Sequence, residues 1–126
     1  MSKFDAQFAG RLDGQTVLVT GAKGGIGHET AQGMGNSGAT VLVHARRADD
    51  ARRAVDLLVT NGNGNGEYLP VAGDLGSLAG VRELVGAVHE AAPKGLNGLV
   101  NNAGAAFASK ALSPDGYERT ESPRDW

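Results

Sequence analysis

The chain alternates short, unbroken apolar runs with segments whose apolar residues recur at helical spacing. Thr16–Thr20 reads T-V-L-V-T and Ala39–His44 reads A-T-V-L-V-H. Neither run alternates apolar with polar, so each predicts a strand covered on both faces, as in a parallel sheet. Between them, the segment from Gly27 to about Ser37 predicts a weak helix. Gly33 and Gly35 each cost it about 0.5–1 kcal/mol against alanine, and Gly38 is placed to stop it. Asp49 to about Thr60 predicts a second helix with Ala51, Ala54, Val55 and Leu58 on one face. The run Asn61–Gly66, N-G-N-G-N-G, predicts a loop with no side chain to bury and left-handed geometry tolerated throughout. Glu67–Ala72 predicts a third strand. Ser77 is placed to cap a third helix with Val81, Leu84, Val85 and Val88 inside. Leu96–Val100 predicts a fourth strand.

Strands and helices in strict alternation imply right-handed βαβ crossovers and a parallel sheet. The expected fold class is α/β, a Rossmann-type three-layer sandwich with a partial sheet of about four strands in the order 3-2-1-4. The fourth strand then lies at an edge while carrying the apolar pattern of an interior strand. An exposed apolar edge invites pairing, so the sequence predicts either a missing neighbour or a homo-oligomer formed through that edge.

Composition adds a few exclusions. Cysteine is absent, so neither a disulfide framework nor a thiolate metal site is available. The formal net charge of −2 gives no reason to expect a nucleic-acid partner. No apolar run of about 18 residues suggests a membrane span, the start lacks a signal-peptide pattern, and the three histidines share no metal-like spacing. A cytoplasmic protein without metal or membrane partners is the expectation. Glycine, at 20 of 126 residues, exceeds the usual share more than twofold, and part of that excess falls in one loop.

Thr20–Gly27, T-G-A-K-G-G-I-G, joins the first strand to the first helix. Glycines there allow a sharp turn and close approach of a pyrophosphate, whose charge meets the free N–H groups of a helix N-terminus. A merely tight turn would use the same residues. Arg46-Arg47 ends the second strand, where an acidic residue would accept the ribose hydroxyls of NAD(H) and an arginine accommodates the 2′-phosphate of NADP(H). A solvated basic pair is the alternative. Lys23 adds positive charge near the same phosphates, or points to solvent.

At these residues the chain resembles the first half of a classical short-chain dehydrogenase/reductase, over roughly Leu12 to Thr120. Thr20-Gly21-x-x-x-Gly25-x-Gly27 matches that family's cofactor loop, Lys23, Gly24 and Ile26 included. Asn101-Asn102-Ala103-Gly104 matches its second hallmark, and Asp74-Leu75 falls where the family keeps an aspartate near the adenine ring. Asp115-Gly116-Tyr117-Glu118 is similar to the branch containing retinol dehydrogenases and protochlorophyllide reductases. The resemblance implies NADP(H) as cofactor. Its binding residues would be Thr20, Gly21, Lys23, Gly24, Gly25, Ile26, Gly27, Arg46, Arg47, Asp74, Leu75, Asn102, Ala103 and Gly104. Asp74 could equally cap the segment before Ser77, and Asn102 could equally satisfy a turn.

The family's proton donor is a tyrosine four residues before a lysine on its fifth helix, with a serine after its fifth strand. Neither Tyr68 nor Tyr117 has a lysine at that spacing, so no catalytic residue is assigned. Residues 1–11 read as a polar lead-in, 12–120 as the NADP(H)-binding half-domain, and 121–126 as a tail outside the family pattern. In that tail Pro123 interrupts a helix that should be running, as a shifted reading frame or an early stop would produce. The expected function is a carbonyl/alcohol oxidoreductase represented by its cofactor-binding portion. The alternatives are a non-catalytic nucleotide-binding module and a degenerate fragment.

Overall fold

The computed structural model describes residues 11–102. In chain order the elements are β1 (Thr16–Val19), α1 (Gly25–Asn36), β2 (Thr40–Ala45), α2 (Ala48–Asn61), β3 (Glu67–Ala72), α3 (Leu78–Ala91) and β4 (Gly98–Val100). All strand pairs are parallel, and the order is β3-β2-β1-β4. The expected Rossmann-type topology is therefore observed.

The unbroken apolar runs have a layered explanation. Side chains alternate faces along a strand, and here both faces are covered. Val17, Val19, Val41 and Val43 form one cluster with Ala22, Ala31, Ala54 and Leu58, beneath α1 and α2. Leu18, Leu42 and Val71 turn the other way and pack with Leu84 of α3 and with Ala92. Valine thus faces the α1/α2 layer and leucine the α3 layer along both β1 and β2. Pro70 sits in β3, an outer strand of the described sheet, where its missing N–H breaks no ladder.

The end of α1 is a Schellman motif. Gly38 has φ +104°, its N–H donates to the Gly35 carbonyl at 3.0 Å, and the Ala39 N–H donates to the Met34 carbonyl at 3.1 Å. Gly35 has a packing reason as well: a Cβ there would overlap the Tyr68 hydroxyl. The Ser77 hydroxyl accepts from the Gly80 N–H at 3.0 Å, capping α3 as expected.

Three details differ from the sequence expectations. The inner face of α3 runs through Gly80, Leu84, Ala87, Val88 and Ala91, while Val85 is exposed. The helix is turned because its closest seat is Gly80, where a Cβ would stand 2.7 Å from both Asp74 N and C. The 61–66 loop uses left-handed geometry only at Gly64, φ +83°, and its asparagines are not idle. The Asn63 amide donates to the Asn36 carbonyl at 3.1 Å, the Asn63 N–H donates to Asn36 Oδ1 at 3.1 Å, and Asn65 Nδ2 donates to the same carbonyl at 3.3 Å. Finally, β4 begins at Gly98 because Asn97 pairs differently. Its Oδ1 accepts from the Thr16 N–H at 2.8 Å, while its own N–H donates to the Thr16 carbonyl at 2.7 Å. Among the described residues β4 lies at the sheet edge, and Leu99 is 60% exposed.

Candidate functional site

The C-terminal ends of the strands converge on one end of the sheet, the end at which open α/β sheets bind ligands. Leaving β1, Thr20 is tied to the strand beyond: its N–H donates to the Val100 carbonyl at 3.0 Å, and its hydroxyl lies 3.3 Å from Val100 O and Asn101 Oδ1. The chain then turns through Gly21, φ +63°, and enters α1 at Gly25, φ +61°. Side chains rarely tolerate either conformation. Gly27 is required for another reason, since a Cβ there would lie 2.6 Å from both Asn102 Nδ2 and the Gly21 carbonyl. Those two groups are themselves bonded, Asn102 Nδ2 donating to Gly21 O at 3.1 Å. Asn102 therefore acts on the loop itself, which goes beyond satisfying a turn.

The start of α1 lacks the side-chain cap that Ser77 gives α3: Gly24 occupies its N-cap position, and, as in α3, the first turn carries no acidic residue. The first four N–H groups of any helix lack intrahelical acceptors, and here no side chain replaces them at the cap. Around Gly24 and Gly25 nothing lies within 4 Å of where a Cβ would stand. The loop thus leaves open space beside an uncompensated positive helix end. Ile26 is 76% exposed in its first turn.

Basic side chains surround this end. Lys23 Nζ lies 3.6 Å from Asp50 of α2, with Lys23 70% exposed. Arg46, just beyond β2, meets Asp74 at 3.3 Å, and Arg47 is exposed at the N-cap of α2. Asp74 serves two partners, because its Oδ1 also accepts from the Gly76 N–H at 2.8 Å. One Asp74 oxygen thus serves the turn before Ser77 and the other faces Arg46. Leu75, half-buried, packs against the α3-side core. Ala103 and Gly104 lie outside the described residues, as do Tyr117 and the 121–126 tail.

Two of the three histidines, which share no metal-like spacing in sequence, contact the glycine loop. The His44 ring lies between Gly21 and Gly73, with Nδ1 accepting from the Gly21 N–H at 3.0 Å and Nε2 placed 2.8 Å from the Gly73 carbonyl. His28 Nδ1 lies 3.1 Å from the Ala22 carbonyl, inside the glycine loop. Only its position at the end of a strand, opposite a glycine loop, could have flagged His44. Tyr68 lies at the opposite end of the sheet and bonds with Gln32 at 2.8 Å, which makes it a packing residue. Among the described residues no group of three His, Cys, Asp or Glu side chains could hold a metal ion, and no helix is long and apolar enough to cross a membrane.

Comparison with known proteins agrees with this geometry. Residues 15–120 match the family model for short chain dehydrogenases. The chain is 37% identical over 110 residues to a rhamnolipid-biosynthesis 3-oxoacyl-[acyl-carrier-protein] reductase of Pseudomonas aeruginosa, covering 86% of this chain and 41% of that protein. It superimposes on landomycin C-6 ketoreductase LanV with bound NADP and rabelomycin at TM-score 0.65 and 34% identity, covering 75% of this chain and 40% of LanV. A 3-oxoacyl-[acyl-carrier protein] reductase of Brucella melitensis with bound NAD gives TM-score 0.67 and 28% identity, covering 81% and 37% of the two chains. The chain spans well under half the length of the relatives it matches.

Proposed function

Since the chain belongs to the short-chain dehydrogenase family, we propose that residues 20–27, Arg46, Arg47, Asp74 and Leu75, with Asn102, Ala103 and Gly104, form the NADP(H) site of an oxidoreductase acting on carbonyl or alcohol groups. The observation that carries the cofactor preference is Arg46 at the end of β2, beside the open glycine loop and 3.3 Å from Asp74. A guanidinium there offers charge and paired donors to a phosphate monoester. A carboxylate in its place would repel the phosphate.

The residues present fit such a dinucleotide. Gly24 and Gly25 leave the loop surface free of side chains, and the uncapped start of α1 supplies backbone donors for a pyrophosphate. Lys23 contributes charge at the same place. Asn102 holds Gly21 and so fixes the first turn of the loop. The nicotinamide, when bound, supplies the hydride exchanged with a carbonyl or alcohol carbon. The chain's own residues bind and orient; none of the described side chains at this end of the sheet is assigned as the proton donor.

Calorimetric titration of NADP+ and NAD+ into the 126-residue chain tests the reading. The expected outcome is saturable binding with NADP+ preferred, and loss of that preference in Arg46→Ala. Equal affinity for the two nucleotides, or no binding by a chain that circular dichroism shows to be folded, would sink it.

A further inference from the structure

His44 lies in β2, one residue from its end, and is 3% exposed. Both ring nitrogens meet backbone groups, and those groups belong to two different loops. The Gly21 N–H points at Nδ1, so Nδ1 is the acceptor and carries no proton. The Gly73 carbonyl can only accept, so Nε2 must donate. The two contacts together select one protonation state, the neutral Nε2–H tautomer. The backbone of the same residue extends the clamp, its carbonyl accepting from the Ala22 N–H at 2.8 Å.

We infer that His44 is a positioning residue of the dinucleotide site: its neutral imidazole ties the glycine loop at Gly21 to the Gly73–Asp74 segment, and a proton on Nδ1 releases that tie. The functional consequence rests on the dinucleotide reading above, whereas the clamp itself rests on geometry alone. A protonated Nδ1 would set an N–H against the Gly21 N–H. Two donors cannot pair, so the bond is lost and a half-buried backbone donor loses its partner, at a cost of its desolvation. Gly21 also carries the Asn102 contact, and Gly73 adjoins Asp74, the partner of Arg46. One proton therefore frees Gly21, and with it the Asn102 side of the surface, while Nε2–H still donates to Gly73.

The charged groups nearby do not compete for the ring. Lys23 of the loop pairs with Asp50 of α2, and Arg46 beyond β2 pairs with Asp74 beyond β3. Arg47 is exposed at the start of α2, and His28 of α1 turns to the Ala22 carbonyl. Both hydrogen bonds of the His44 ring go to backbone groups. Burial lowers its pKa from the ordinary value of 6.5, and the Gly73 carbonyl opposes that shift.

NAD+ is the suitable probe because the 2′-phosphate of NADP+ itself titrates near about pH 6. Its affinity, measured by calorimetry from about pH 8 to about pH 5, should weaken on acidification with a limiting slope of about tenfold per pH unit, the signature of one linked proton. His44→Gln supplies an acceptor and a donor without titrating, and should bind at high pH while losing that slope. An identical pH profile in the wild type and His44→Gln would overturn the positioning role. Nitrogen-15 NMR of the nucleotide-free chain gives a second readout. The Gly21 amide shift should follow the imidazole titration, and a Gly21 signal indifferent to it would overturn the clamp. If NAD+ and NADP+ both fail to bind while Gly21 follows the imidazole, the dinucleotide reading falls and the clamp stands.

Discussion

The side-chain amide of Asn102 occupies the space that a Cβ on Gly27 would fill: the two would be 2.6 Å apart. Through that vacancy Asn102 reaches the Gly21 carbonyl, so the two sequence hallmarks of this chain, 81 residues apart, are one physical contact.

Gly27→Ala should accordingly break the contact and displace the loop. The expected destabilisation is about 1–3 kcal/mol, as for other insertions into a packed site, with nucleotide affinity falling alongside. Urea unfolding followed by nucleotide titration checks both. A variant of wild-type stability and affinity would show that the loop yields without cost.

Gly80 and Gly86 lie in the same helix and should respond in opposite directions. A Cβ at Gly80 would run into the Asp74 backbone, whereas nothing lies within 4 Å at Gly86. Gly80→Ala should lower stability by about 1–3 kcal/mol. Gly86→Ala should raise it by roughly 0.5–1 kcal/mol, the helix-propensity gain. Denaturant midpoints of the two variants, compared directly, decide the point.

Asp74 separates into its two oxygens by substitution. Asp74→Asn keeps an acceptor for the Gly76 N–H but loses the charge opposite Arg46. The ion pair is exposed on the arginine side, so its loss should change stability by less than about 1 kcal/mol. Asp74→Ala also loses the turn bond and should cost about 1 kcal/mol more. Equal thermal midpoints for the two variants would mean that the turn bond contributes nothing.

Acid should weaken the fold through His44. Burial lowers its folded pKa below the unfolded value of 6.5, so on acidification the unfolded chain takes up the proton first. Its contribution is fully present above pH 6.5 and is lost as pH falls through the folded value. Urea midpoints at about pH 7.5 and about pH 5.5 should differ, and His44→Gln should shrink the difference. A variant with undiminished acid sensitivity would assign the effect to other groups.

Most of the fold was legible because it is written in local pattern. Unbroken V-L-V runs announce strands covered twice, Glu67–Ala72 was bounded to the residue, and Ser77 was identifiable as a cap by type and place. The glycine loop and Arg46 were legible for the same reason, each standing directly after a strand. Contacts made only in three dimensions were not. Nothing in the local sequence pairs His44 with Gly21 and Gly73, or Asn36 with Asn63 and Asn65. Apolar periodicity points to a different face of α3 because it weighs valines and overlooks Gly80, the residue that seats the helix.

The segregation of valine and leucine between the two sides of the sheet divides the molecule's tolerance to change. The helix that begins at the glycine loop rests on valines and alanines, short side chains with few rotamers with which to absorb an added methylene. Enlarging Ala31, which lies in α1 itself and is fully buried, should disturb the seat of the helix that Gly25 opens. Across the sheet, the leucines sit under α3, where Leu84 packs against Gly73, the residue whose carbonyl meets His44, so a truncation there leaves a cavity next to the second anchor of the clamp. The glycine loop is therefore held from both faces of the sheet, by small side chains under α1 and by the His44–Gly73 contact on the α3 side.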